Sequence, residues 1–285
     1  MGFLLLSIIS STLITLVFKL VSRRKIDIFS CIVVNYPIAS LLGFVFANFS
    51  GGFFLTPKLV SAAVVVGILF IFTFNLVGTC TAKAGMSITT IASKMSLAIP
   101  ISISFIFDNQ DSITSNKIIG IGLAIVAVVL TTFKKNDKKD KDLAAILLPV
   151  ALFVSMGLTD SMVKLAQLTA VPSQYSSNFS AIAFGIAGFI GLSIILVTGK
   201  SSKLKDRNTL LFGTALGIAN FGSLLFFLYA LNSKVASSII FGINNVSIVV
   251  LSITIGILFF KEKLSAINIV GAFASIISLI YLASI

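Results

Sequence analysis

Four charged side chains sit where an apolar chain makes charge expensive: Lys19, Lys94, Asp160 and Lys164. Asp160 is the sole acidic residue within an apolar run. Lys164 follows it at i+4, on the same face of a helix, so the two are expected to pair or to bind a solute together. Lys94 lies seven residues beyond Ser87, which at 1.5 Å per residue is about 10 Å along a helix axis. Thr89, Thr90, Ser93 and Ser96 surround it, and an ammonium at that depth is expected to face protein or a watery cavity rather than lipid. Lys19 has Thr15 at i−4 where Lys164 has Asp160. Its stem either snorkels to the interface or faces the cavity. Asn35, Asn75, Asn220, Asn244 and Asn245 also fall inside apolar runs. Their amides can hold a zwitterionic or hydroxylated solute, or can bridge helices. The excess of lysine over acid in this set favours a solute bearing carboxylate or phosphate.

Other chemistries are poorly supplied. The chain has no histidine and two cysteines, Cys31 and Cys80, so neither a metal site nor a Ser-His or Cys-His nucleophile can be assembled in the usual way. No cofactor, metal or catalytic residue is expected, and the glycine-rich stretches FGIAGFIG and GTALG lack the strand and turn of a phosphate loop. Gly185, Gly188, Gly191, Gly213 and Gly217 instead suit close helix contacts.

The elements that must position these groups are membrane helices. Apolar residues make up 57% of 285 positions and charged residues 11%, with a mean hydropathy of +1.12, beyond what a soluble domain can solvate. Ten apolar runs are expected as spans, at 3–22, 28–49, 58–79, 87–107, 116–133, 143–165, 176–198, 210–230, 237–259 and 265–283. Each approaches the roughly 20 residues that cross a bilayer as a helix. A net charge of +12 would suggest nucleic acid in a soluble protein. Here the basic residues lie in short connections and fit anionic lipid headgroups, so the expected partners are the bilayer and a small solute, with no nucleic acid. Fifteen of the 21 Lys and Arg residues occupy alternate connections. That bias places the odd-numbered connections in the cytoplasm and both termini outside.

The chain repeats itself. DSITSNKIIG runs from Asp111 to Gly120 and EKLSAINIVG from Glu262 to Gly271, an offset of 151, while VFKL around Lys19 and MVKL around Lys164 are offset by 145. Five spans precede the charged stretch 134–142, so the expected architecture is all-α and polytopic. It comprises ten transmembrane helices as two inverted five-helix repeats, 1–133 and 143–285, joined by a solvated linker at 134–142. Setting the halves together brings Asn244 or Asn245 opposite Lys94.

The two duplicated ends, with ten spans and a charged centre, resemble the drug/metabolite transporter superfamily, and within it the EamA-like permeases. The resemblance covers essentially the whole chain. Glu262, Leu264 and Gly271 match the family's pattern, and Asp111, Ile113 and Gly120 keep its framework. The tryptophan often found in the first helix is missing around Ser10 and Ser11. The resemblance implies a solute carrier of the cytoplasmic (inner) membrane without an ATP-binding domain, often an exporter of amino acids or related metabolites, with sugar-phosphate and nucleotide-sugar exchangers among its relatives. It also implies both termini inside, opposite to the loop charges. The expected function is alternating-access transport of a small polar metabolite, as a monomer or homodimer. A non-transporting membrane scaffold or sensor is the competing class.

Overall fold

The structure, a computed structural model, describes residues 2–49, 55–107, 114–132, 143–171, 175–231 and 237–283. Asp111, the linker 134–142 and Lys234 lie outside the described residues, so the boundary between the two expected repeats does too.

Among the described residues the regular structure is helical: α1 (Gly2–Arg23), α2 (Ile28–Phe49), α3 (Pro57–Lys83), α4 (Met86–Met95), α5 (Ala98–Phe107), α6 (Ser115–Thr132), α7 (Leu143–Thr169), α8 (Ser176–Val197), α9 (Arg207–Leu231), α10 (Ser237–Leu258) and α11 (Ala266–Ala283), with a short 3₁₀ turn at Ser201–Lys205. Ten segments among the described residues are long and apolar enough to cross a membrane, α4 and α5 together supplying one of them. The chain is an all-α, multi-pass membrane protein. Its outer surface carries large exposed apolar side chains, such as Val65, Phe189, Val197 and Phe273, as a surface in contact with lipid does.

Proline has opposite effects in two helices. Asn35, Tyr36 and Pro37 are expected to interrupt the second span, yet α2 runs through Pro37 without a break. Neighbouring helices hold it on both sides: the Tyr36 hydroxyl donates to the Phe70 carbonyl at 2.6 Å, and Gly188 lies against Pro37 while Gly217 lies against Ile38. The single span expected at 87–107 is divided. Pro100 has no N–H to give the Ser96 carbonyl, which takes the Ile99 N–H at 2.9 Å instead, and the helix breaks at Ser96–Leu97.

Helix pairing forms a regular pattern. α2 packs on α8, and α6 on α11; α1 packs on α9 as α3 does on α7; α2 packs on α9 as α3 does on α8; α1 meets α10 as α4 meets α7. The repeated sequence motif acts at the α6–α11 pair. Ser265 and Asn268 cap α11 reciprocally, the Asn268 N–H donating to Ser265 Oγ at 3.2 Å and the Ser265 N–H to Asn268 Oδ1 at 3.0 Å. Asn268 Nδ2 also donates to the Thr131 carbonyl at 2.8 Å, tying the start of α11 to the end of α6. In the first copy Thr114 stands where Ser265 does and accepts from the Lys117 N–H at 3.4 Å. Gly271 faces the Leu130–Thr131 backbone side of α6, where a Cβ would meet Thr131 Cγ2 at 2.7 Å.

Candidate functional site

The site is built from α4 outward. α4 begins at Gly85, whose φ of +101° is closed to most L residues, and ends at the Pro100 break, so it is a short half-helix with Thr90 and Lys94 on its length. It packs against α7, α10 and α6. Across the α4–α7 contact, Lys94 and Asp160 are each other's opposing charge. Both are half-buried, near enough for each charge to act on the other, and they form no direct ion pair.

This differs from the expected i+4 pair. The charge acting on Asp160 comes from Lys94 and not from Lys164, which is half-buried on the following turn of α7. A shared helical face sets two side chains one above the other, but the packing of α4 on α7 brings a lysine from another helix close enough to act on the carboxylate.

Lys19 also finds a different role. Its ammonium lies 2.7 Å from Glu262 Oε1, with the two side chains 16% and 9% exposed. Glu262 simultaneously accepts the Met86 N–H at 2.7 Å, the Ser87 N–H at 3.1 Å and the Ser87 hydroxyl at 2.8 Å, which places a carboxylate on the positive end of α4. The end of α10 aims it there. The Lys261 N–H bonds to the Ile257 carbonyl and the Glu262 N–H to the Gly256 carbonyl, at 3.1 and 3.0 Å, with Lys261 at φ +53°. The Lys261 bond is the αL type of helix ending, with the Glu262 N–H reaching back one residue further, to Gly256. Burial works to raise the Glu262 pKa, but the Lys19 ammonium and the Met86 and Ser87 donors outweigh it and hold the carboxyl below its ordinary value.

The same end of the molecule carries the basic loops. Arg23 donates to the Phe260 carbonyl at 2.8 Å and lies over the Phe260 ring at 4.7 Å; Arg24 lies over Phe212. Asp27 caps α2 through the Ser30 N–H and hydroxyl, at 3.0 and 2.7 Å, and bonds to Lys203 at 3.1 Å. Burial opposes its ionisation, and the Ser30 and Lys203 donors more than offset that, so its pKa lies below the usual value.

The asparagines divide. Asn220 Nδ2 donates to Asn35 Oδ1 at 3.3 Å, bridging α9 and α2. Asn75, half-buried on α3, makes no hydrogen bond with them. Asn244 and Asn245 are buried on α10 but are not level with Lys94. Ser87 stands beside Gly256, where a Cβ would meet its Oγ at 2.5 Å. From that fixed point α4 and α10 run in opposite directions at 1.5 Å per residue, so Thr90 and Ser252 lie about 5 Å in, Lys94 about 10 Å, and Asn245 and Asn244 about 16–18 Å. The polar groups thus form a ladder rather than one layer. Thr90 Oγ1, Ser252 Oγ and Asn244 Oδ1 along it, and Asn35 Nδ2 on α2, are buried without a protein hydrogen-bond partner, a condition costing about 1–3 kcal/mol each unless something fills it.

In the sequence Glu262 marks repetition and does not stand out as a polar centre. The signal that points to it is Gly85 and Ser87 at a helix start, which together prepare a cradle for an anion.

No family model matches the chain. An uncharacterized protein of Haemophilus influenzae is 24% identical over 283 residues, spanning 96% of this chain and 94% of its own. A protein of known crystal structure superposes with a TM-score of 0.58 at 14% identity, covering 99% of this chain and 98% of that one. The two therefore share a fold over their whole length.

Proposed function

We propose that the chain is a secondary transporter that moves a small polar metabolite, such as an amino acid or organic anion, across the cytoplasmic membrane by alternating access. The observation that carries this is the pair of opposite charges Lys94 and Asp160, on the packed helices α4 and α7 of a bundle of membrane-length helices, with no direct ion pair between them. Charges at membrane depth are costly and mark solute or ion pathways. A pair held apart can accept a carboxylate on the lysine and an ammonium on the aspartate. Thr90 and Ser252, unpartnered one turn away, supply further hydrogen-bonding groups.

Two features support the mechanism. Lys94 stands at the end of a broken helix, the kind of element from which transporter sites are built. The helix pairing is what an in-plane twofold would give: exchanging the first five spans with the last five turns α1–α9 into α7–α3, α2–α9 into α8–α3, and α1–α10 into α7–α4, all of them packed pairs. Inverted repeats supply two equivalent conformations, and the EamA-like resemblance of the duplicated ends points the same way. The basic loops joined at one end would face the cytoplasm.

Purified protein in lipid vesicles, loaded with a labelled mixture of amino acids and organic acids, tests the proposal. Flux that is lost in Lys94→Met while the protein stays folded is the expected result. Absence of flux for every solute in both directions, with and without a proton gradient, would sink it and favour a scaffold.

A further inference from the structure

Glu262 ties together three separate pieces of chain: the end of α1 through Lys19, the start of α4 through Met86 and Ser87, and the end of α10 through its own N–H on Gly256. These contacts lie between the basic loops and the Lys94–Asp160 pair. We infer that the Lys19–Glu262–Ser87 cluster is a gate sealing the basic face over that pair, with α4 as the lever it holds; the inference rests on the transporter reading and adds the device that decides which side is open.

The geometry of α4 makes the cluster more than a brace. The half-helix is 10 residues long, with Gly85 at one end and the Ser96–Leu97 break at the other. Its first turn is what Glu262 grips. Its last turn carries Lys94. A rigid lever between two non-helical points transmits displacement from one end to the other, so a solute that pulls Lys94 moves Met86 and Ser87 against the carboxylate.

The gripping residue is equally suited to release. Glu262 comes from the non-helical stretch 261–265, and Lys19 reaches it on a flexible stem, so the cluster can part without sliding any spanning helix. Its interactions are directional and charge-assisted, and hence strong in place and quickly lost with displacement. All of its contacts are made in this structure, as the gate's closed position requires.

The test uses full-length protein in vesicles, with Cys31→Ala and Cys80→Ala removing the native thiols and Thr90→Cys placed one turn inside the gate. A membrane-impermeant sulfonated maleimide is applied separately to each face. Glu262→Gln should raise the labelling rate from the basic face about tenfold or more and lower it from the opposite face. Unchanged rates from both faces in a folded Glu262→Gln protein would overturn the gate. If that variant does not fold, Lys19→Met, which leaves the cap on α4, takes its place: faster labelling from the basic face supports the gate, and unchanged rates overturn it. Labelling needs no transported solute. A gate that responds in a protein without flux would refute the transporter reading alone, and flux with unresponsive labelling would refute the gate alone.

Discussion

The Lys19 ammonium and the Glu262 carboxylate, 2.7 Å apart, join the first helix to the last loop. Removing either partner leaves the other charged and half-buried, but the two losses are unequal. Glu262→Ala should cost about 3–5 kcal/mol, as for a broken buried pair, because Lys19 loses its partner and α4 its cap together. Lys19→Met should cost less, since Met86 and Ser87 still donate to the carboxylate. The exchange Lys19→Glu with Glu262→Lys should not restore stability, because it sets an ammonium against the positive end of α4. Thermal unfolding in detergent measures all three. Full rescue by the exchange would show that the ion pair alone matters.

The pH dependence of this contact has a definite sign. The folded carboxyl of Glu262 is held below its ordinary value, so its stabilising contribution is fully present above that ordinary value, about 4.3. It is lost as pH falls through the lower folded value. Labelling of Thr90→Cys by a reagent whose rate is corrected for pH should therefore stay constant between about pH 5 and 8, and rise from the basic face only in stronger acid. A transition near about pH 6 would contradict the arrangement.

Gly85→Ala should be destabilising by about 1–3 kcal/mol, because a residue with a side chain is strained at that backbone angle. Its Cβ would also stand 2.7 Å from Glu262 Oε1. Gly122, where an added Cβ meets nothing within 4 Å, is the control, and Gly122→Ala should be neutral or slightly stabilising by a few tenths of a kcal/mol. Paired melting curves decide between them.

Lys94→Met and Asp160→Asn separate folding from flux. Each single change removes one of two opposing charges, so each should lower stability by a kcal/mol or more, on the order expected when a charge is left uncompensated inside a membrane protein. The double variant should recover part of that loss. Flux should be absent in all three, and recovery of flux in the double variant would mean that the pair is structural.

The outline of the fold was legible because ten apolar runs of bilayer length leave few alternatives, and the expected spans coincide with helices apart from the division at Ser96–Leu97. Pro37 and Pro100 look alike in sequence; only the packing of α2 between α8 and α9 distinguishes a proline that is absorbed from one that breaks its helix. The depth of Lys94 could be counted along the chain. Its partner could not, because Asp160 has a nearer lysine in sequence and a different one in space. Glu262 was visible as a repeated acid, yet its role depends on where the Lys261 turn aims it.

Partnership across so much chain has a consequence for biogenesis. Lys19 enters the membrane with α1, whereas Glu262 is made only after α10, and Lys94 likewise precedes Asp160 by two spans. During synthesis both lysines must be tolerated by the insertion machinery, by water or by lipid headgroups. Deletion of the segment from 259 onward should therefore leave α1 with an unneutralised cation, and truncated chains should be recognised by membrane quality control even though the spans from α1 to α10 have been made.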